Sequence, residues 1–166
     1  MEPIMSNAVS VLQQPSDWLP LNLPGAKGVS IKVYKADPVL NRVIVRARFE
    51  ANSQMPRHLH HCYAVAVTLS GSWDYDDGHF EAGEIAYEDI GNDHVAYSEA
   101  GSDMIITFDS PSGQFIDNFL EDGTIFHLGM RFFQAVEGIS LGAYEQLDLA
   151  SLIDILPAAR PAIRAA

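Results

Sequence analysis

Cysteine is all but missing from this chain of 166 residues: Cys62 stands alone, so no internal disulfide can form. Cations are scarce as well, ten Lys and Arg against 22 Asp and Glu, and the formal charge of -12 argues against a polyanionic partner such as nucleic acid. No apolar run approaches the roughly 18 to 20 residues that cross a bilayer. The opening MEPIMSNAVSVLQQPSD has neither the basic start nor the long apolar stretch of a secretory leader. These absences together predict a cytoplasmic protein with no membrane or nucleic-acid partner, acting on a small molecule or on another protein. The length fits one domain that can bury a core without a structural metal, so any metal is free to be functional.

What the chain does have is a succession of short runs rich in Val, Ile, Phe and Tyr, partitioned by Gly, Asn, Asp and Pro: VSIKVY, RVIVRARFEA, CYAVAVTLSGSWDYDD, GEIAYEDI, HVAYSEA, DMIITFDS, FIDNFL and TIFHLG. That pattern predicts an all-β fold of antiparallel strands. The pairs Asp77-Gly78 and Asp122-Gly123 lie between apolar runs and predict tight hairpins, because Asp-Gly readily takes positive φ. Residues 1–25, with Pro15, Pro20 and Pro24, read as an irregular arm, 26–135 as a β-barrel, and 136–166 as a C-terminal helical extension. In that extension Leu147, Leu149, Leu152, Ile153 and Leu156 mark an apolar face, and Pro157 would end the helix.

Three of the six histidines fall within four residues, in MPRHLHH. Side chains two apart on a strand project to one face about 6.7 Å apart along it, so His58 and His60 can meet one ion while His61 points away. A turn at Asn52 and Ser53 would precede their strand. His94, after the strand GEIAYEDI and a turn through Gly91, is the candidate third ligand. His79, beside the Asp-Gly turn, and His127, alone in an apolar strand, are not expected to bind metal. Cys62 reads as a small buried hydrophobe.

These spacings resemble the cupin family. Its first motif runs Gly, five residues, His-x-His, three or four residues, Glu, six residues, Gly. His58, His60 and Gly71 match it, Asn52 stands for the opening Gly, and Ala64 stands where Glu is expected. The second motif runs Gly, five residues, Pro-x-Gly, two residues, His, three residues, Asn. Gly83, Gly91 and His94 match, with Asp89 for Pro and Ser98 for Asn. Asn tolerates the left-handed backbone that Gly would supply, whereas the change at Ala64 removes one of four usual ligands. HLHHCYAVAVTLSGSWDYDD, and YED before GNDH, are further similar to three-histidine cupins of the 2,4'-dihydroxyacetophenone dioxygenase and acetylacetone-cleaving type. The likeness extends over about residues 18 to 130.

The resemblance implies an RmlC-like jelly-roll barrel and one divalent metal on His58, His60 and His94, Fe(II) foremost, with zinc or nickel as alternatives. It also implies a carbonyl substrate and O2 as reactants, with cleavage of the carbon-carbon bond of a diketone or hydroxyketone. Three imidazoles without a carboxylate would leave the ion its full charge, which suits capture of an anionic chelate. Ala64, Ala66 and Thr68 are expected on the cavity wall and Tyr87 in the substrate pocket. Glu88 could accept a hydrogen bond from a metal-bound imidazole or from substrate, or else face outward on its strand. Exposed barrel edges and the aromatic side chains predict a homodimer. A non-oxidative metal enzyme, and a sensor domain resembling the zinc-binding cupin of anti-sigma factors, remain as alternatives.

Overall fold

The computed structural model describes Leu12, Pro15 and residues 17–157. Thirteen strands form two sheets. The larger holds β1 (Leu19–Pro20), β2 (Lys27–Asp37), β3 (Arg42–Gln54), β5 (Tyr63–Tyr75), β6 (Gly78–Glu81), β7 (Ile85–Glu88), β9 (Tyr97–Ser98) and β10 (Ser102–Asp109). The smaller is ordered β13 (Asp154–Leu156), β12 (Ile125–Leu128), β11 (Ile116–Phe119), β4 (Arg57–His60) and β8 (Asp93–His94). The two close into a cupin-like barrel of jelly-roll type in which neighbouring strands run antiparallel.

Alternation decides which face each strand buries. On β3, Val43, Val45, Ala47 and Phe49 are buried, while Arg42 and Arg48 face outward. Helix α1 (Met130–Val136) closes one side, its Phe132, Phe133 and Val136 packed into the core, each such side chain contributing about 1.5–3 kcal/mol. Gly71 has φ 69°, and a Cβ there would lie 1.9 Å from the carbonyl oxygen of Gly101, so only glycine lets β5 pass β10 at this point.

Several local expectations change. No turn forms at Asn52 and Ser53: β3 continues to Gln54, and Asn52, at φ 58°, is a left-handed kink where the strand leaves β10 and pairs with β9. The β5–β6 hairpin forms, yet its two-residue turn is Asp76-Asp77, with Gly78 already paired to Tyr75. At Asp122-Gly123 the hairpin stands, with Gly123 at φ 85° and Leu120 closing on Thr124. The extension is not one helix from Leu147 to Leu156. A short α2 (Leu141–Tyr144) and a 3-10 turn at Leu149–Leu152 lead into β13, which pairs with β12. The partners on β12 offset what a helix would gain, and Ile155 and Leu156 join a ladder. The expected arm contributes β1, paired with β2. Its other residues before Asp17, apart from Leu12 and Pro15, and the extension's residues 158–166, lie outside the described residues.

Candidate metal centre

His58 and His60 sit two apart on β4 with their side chains buried, and His94 on β8 lies directly across the ladder from His58. The Gly91 turn produces that meeting. At φ 91° it lets the chain reverse after β7, the Gly91 N–H donates to the His60 carbonyl (2.8 Å), and His60 N–H donates to the Asn92 carbonyl (2.9 Å). One nitrogen from each of the three rings lies within 4.8 Å of the others.

Ring orientation follows from the partners at the back. His58 Nδ1–H donates to the Pro56 carbonyl at 2.8 Å, which leaves its Nε2 as a bare lone pair facing the centre. That lone pair is 2.8 Å from His94 Nε2. Behind the other two rings lies Glu88, one carboxylate oxygen 3.6 Å from His94 Nδ1 and the other 3.9 Å from His60 Nδ1. Asn92 Nδ2 donates to it at 3.2 Å. Glu88 therefore faces inward and buried, and by strand alternation Tyr87 cannot. Tyr87 is 65% exposed and corrects the expectation that placed it in the substrate pocket. Ala66 lines the cavity. Ala64 and Thr68 are buried on the same face without lining it, and Thr68 Oγ1 accepts from Trp73 Nε1 at 3.0 Å.

Burial sets the protonation states. It holds His60 down to about 2 and His94 to about 3, with the neighbouring imidazoles adding to the effect, and lowers His58 as well. Glu88 is pushed up to about 7 by burial alone. Both ring nitrogens of His60 and Nδ1 of His94 are buried with no hydrogen-bond partner, and at the centre the Nε2 atoms of His58 and His94 have only each other. A divalent metal supplies what this donor set lacks, and the residues fit one. His61, on the outer face, instead bonds Asp117 (2.7 Å), which also bonds His127 (2.7 Å); His79 pairs with Asp74.

Asn118 was not singled out by the sequence. It faces His58 across the β4–β11 ladder, 1% exposed, and neither of its amide atoms has a partner. In FIDNFL it reads as one polar residue in an apolar strand, and only the pairing of strands far apart in sequence reveals its neighbour.

Above the histidines lies a cavity of about 100 Å3. Its wall is apolar, drawn from both sheets and including Val45, Phe49, Met104 and Phe108. Its polar lining among the described residues consists of the three histidines and Glu88, and no Lys or Arg among them lines it.

A pH response follows for the metal-free protein. The histidine pKa values are depressed on folding, so their contribution is complete above pH 6.5, where the unfolded chain is also neutral, and is lost as pH falls toward about 3 for His94 and 2 for His60. Glu88, raised to about 7, works in the opposite sense over the same range and offsets about one histidine, so stability from denaturant unfolding should fall between pH 6.5 and 4.5 by the contribution of the remaining histidines, at most about 1.4 kcal/mol per pH unit for each. Stability that does not fall over that range would show that the rings take up protons as readily folded as unfolded.

The model of the ChrR cupin-like domain matches residues 7–112. An RmlC-like cupin protein from Ralstonia eutropha JMP134 is 30% identical, covering 72% of this chain and 71% of that one, with a TM-score of 0.51. A protein of unknown function with a cupin-like fold from the same organism is 21% identical over 97% of this chain and 100% of that one, TM-score 0.63. An acetylacetone dioxygenase from Acinetobacter johnsonii is 16% identical over 71% and 83%, TM-score 0.61. No curated protein matches the chain by sequence.

Proposed function

Since the chain belongs to the cupins of the ChrR-like domain family, and its barrel gathers three neutral histidines under an apolar cavity, we propose that it is a mononuclear non-heme iron dioxygenase cleaving a carbon-carbon bond of a small diketone. The carrying observation is the donor set: three imidazoles, no carboxylate at Ala64, and one carboxylate, Glu88, placed behind the rings. Fe(II) bound to His58, His60 and His94 would supply Lewis-acid capture of chelating oxygens and activation of O2. Likeness to the Acinetobacter enzyme supports this reading through the fold.

The chain's own residues do the rest. The Pro56 carbonyl fixes the His58 tautomer. Glu88, once ionised, lies 3.6 Å from His94 Nδ1 and 3.9 Å from His60 Nδ1, beyond hydrogen-bond distance, and its charge favours Nδ1–H on both rings, leaving the Nε2 lone pairs for the ion. The wall of Val45, Phe49, Met104 and Phe108 excludes bulk water, and with no cation in it a substrate bearing phosphate or a second carboxylate finds no partner. The apolar wall suits a small uncharged carbonyl compound whose oxygens meet polar atoms at the histidine end alone.

The same donor set supports a second reading, a zinc- or nickel-holding site in a non-oxidative enzyme or a sensor, because imidazole ligands take these ions as well as iron. Protein reconstituted anaerobically with Fe(II) decides between them. The dioxygenase reading expects oxygen uptake with acetylacetone as probe. Iron bound at one per chain with no uptake from any diketone would hand the site to the second reading.

A further inference from the structure

On a regular strand, residues an odd number apart face opposite sides, yet Thr68 and Trp73 of β5 are both buried on its inner face. A β-bulge makes the difference. Against β10, Met104 pairs with Thr68 and Asp103 with Ser70, so Leu69 is the extra residue and the parity of the strand reverses after it. Gly71 follows, at the one point where a Cβ would strike the Gly101 carbonyl. Bulges beside a site re-aim side chains. The side chain that this one turns into the cavity wall is Trp73.

The indole is held from three sides. Its Nε1–H donates to Thr68 Oγ1 at 3.0 Å. Phe80, its cross-strand partner on β6, stacks on it with ring centroids 4.5 Å apart and planes 24° from parallel. Tyr75 lies at 5.7 Å and itself rests on the ring of His94 at 4.6 Å, which ties the aromatic cluster to the histidine end of the cavity. The aliphatic part of the wall, Met55, Met104 and Ile106, can change rotamer to fit a guest. An indole with its N–H bonded and one face stacked cannot turn without losing both contacts. A flat molecule whose oxygens sit at the histidines packs against such a ring along its length, with no side chain left to order on binding; a molecule with a tetrahedral carbon between its carbonyls stands off from it.

We infer that Trp73 is a substrate-binding residue that selects planar, conjugated carbonyl compounds, such as the enol of a diketone, over non-planar ones. The inference rests on the proposed function for a carbonyl ligand at the histidines, and adds the wall that sorts such ligands. Trp73 touches the carbon skeleton and takes no part in moving a proton or an electron.

Calorimetric titration of the zinc-loaded full chain tests it, since zinc holds carbonyl oxygens without oxidising the ligand. Acetylacetone is the planar probe. Its derivative with two methyl groups on the central carbon, which cannot enolise there, is the non-planar one. Trp73→Leu should raise the dissociation constant of acetylacetone about tenfold or more and leave that of the dimethyl compound within about threefold. Trp73→Phe makes as much room but keeps a flat ring, and should recover most of the loss. The wild type gives a reading that needs no variant. It has two tryptophans, and on saturation with acetylacetone the indole N–H resonance of Trp73 should shift while that of Trp18, packed under Arg48 at 4.0 Å, should not. Acetylacetone bound as tightly by Trp73→Leu as by the wild type, or a Trp73 resonance that stays in place at saturation, overturns this inference and leaves the proposed function standing. A wild type that binds no acetylacetone when offered zinc removes both.

Discussion

Alanine at His58, His60 or His94 should each cost the protein at least about a hundredfold in affinity for a divalent metal, read by competition with a chelator and by metal content after gel filtration. Removing one of three converging imidazoles leaves two ligands in an apolar cavity, where water must complete the shell without other polar support. The barrel itself should survive. Its core is distributed over both sheets and α1, so thermal unfolding of each metal-free variant should remain a single cooperative transition. His61→Ala is the internal control, since that ring faces outward onto Asp117 and should leave metal binding untouched. If the three single variants hold metal as well as the wild type, the ion binds elsewhere and the dioxygenase reading falls with the site.

Ala64→Glu should destabilise the metal-free protein by about 3 kcal/mol or more, and saturating Zn(II) or Fe(II) should restore most of that loss. Taken by itself, the sequence presents this change as the return of an ordinary cupin ligand to an unfilled place. The ladder alters that expectation. Ala64 is fully buried and lies directly across from Glu88, so the substitution sets two carboxylates face to face at a cross-strand pair, where Cβ atoms are about 4.5–5.5 Å apart. Without a cation, one of them must be protonated or the strands must part. Urea midpoints with EDTA and with metal measure the difference. The double variant Ala64→Glu, Glu88→Ala moves the carboxylate across the ladder and should recover the metal-free stability. A single variant as stable in EDTA as the wild type would mean that the new side chain escapes to solvent and that the two positions do not share a space.

The ladder also shows where reading the sequence succeeds and where it stops. The three histidines were legible because each depends on local geometry: parity along four residues of β4, and a glycine turn just ahead of His94. Asn52 was legible for the same reason, its left-handed backbone being a property of one residue. Glu88 and Tyr87 could not both be inward, yet sequence gives no phase for a four-residue strand whose two faces are both partly apolar; the pairing with β5 sets it. Asn118 was invisible because its neighbour His58 is brought to it by pairing across the fold. The segment from Leu147 to Leu156 has apolar spacing that suits a helix, and loses to a free strand edge on β12. Local chemistry wrote the ligands, and long-range pairing wrote their surroundings.

That same long-range pairing bears on when the protein can first hold an ion. β4 has no neighbour close by in the chain: His58 waits for His94, 36 positions on, and for Asn118 a further stretch beyond. Closing such loops is entropically costly and belongs late in folding. The His58–His60 pair alone, on an unpaired strand, is a two-nitrogen chelate with no fixed ring orientation. During synthesis it leaves the ribosome long before the strands that complete it. The nascent chain is therefore a poor trap for whichever metal it meets first, and ion selection passes to the finished barrel, where the cavity decides what enters.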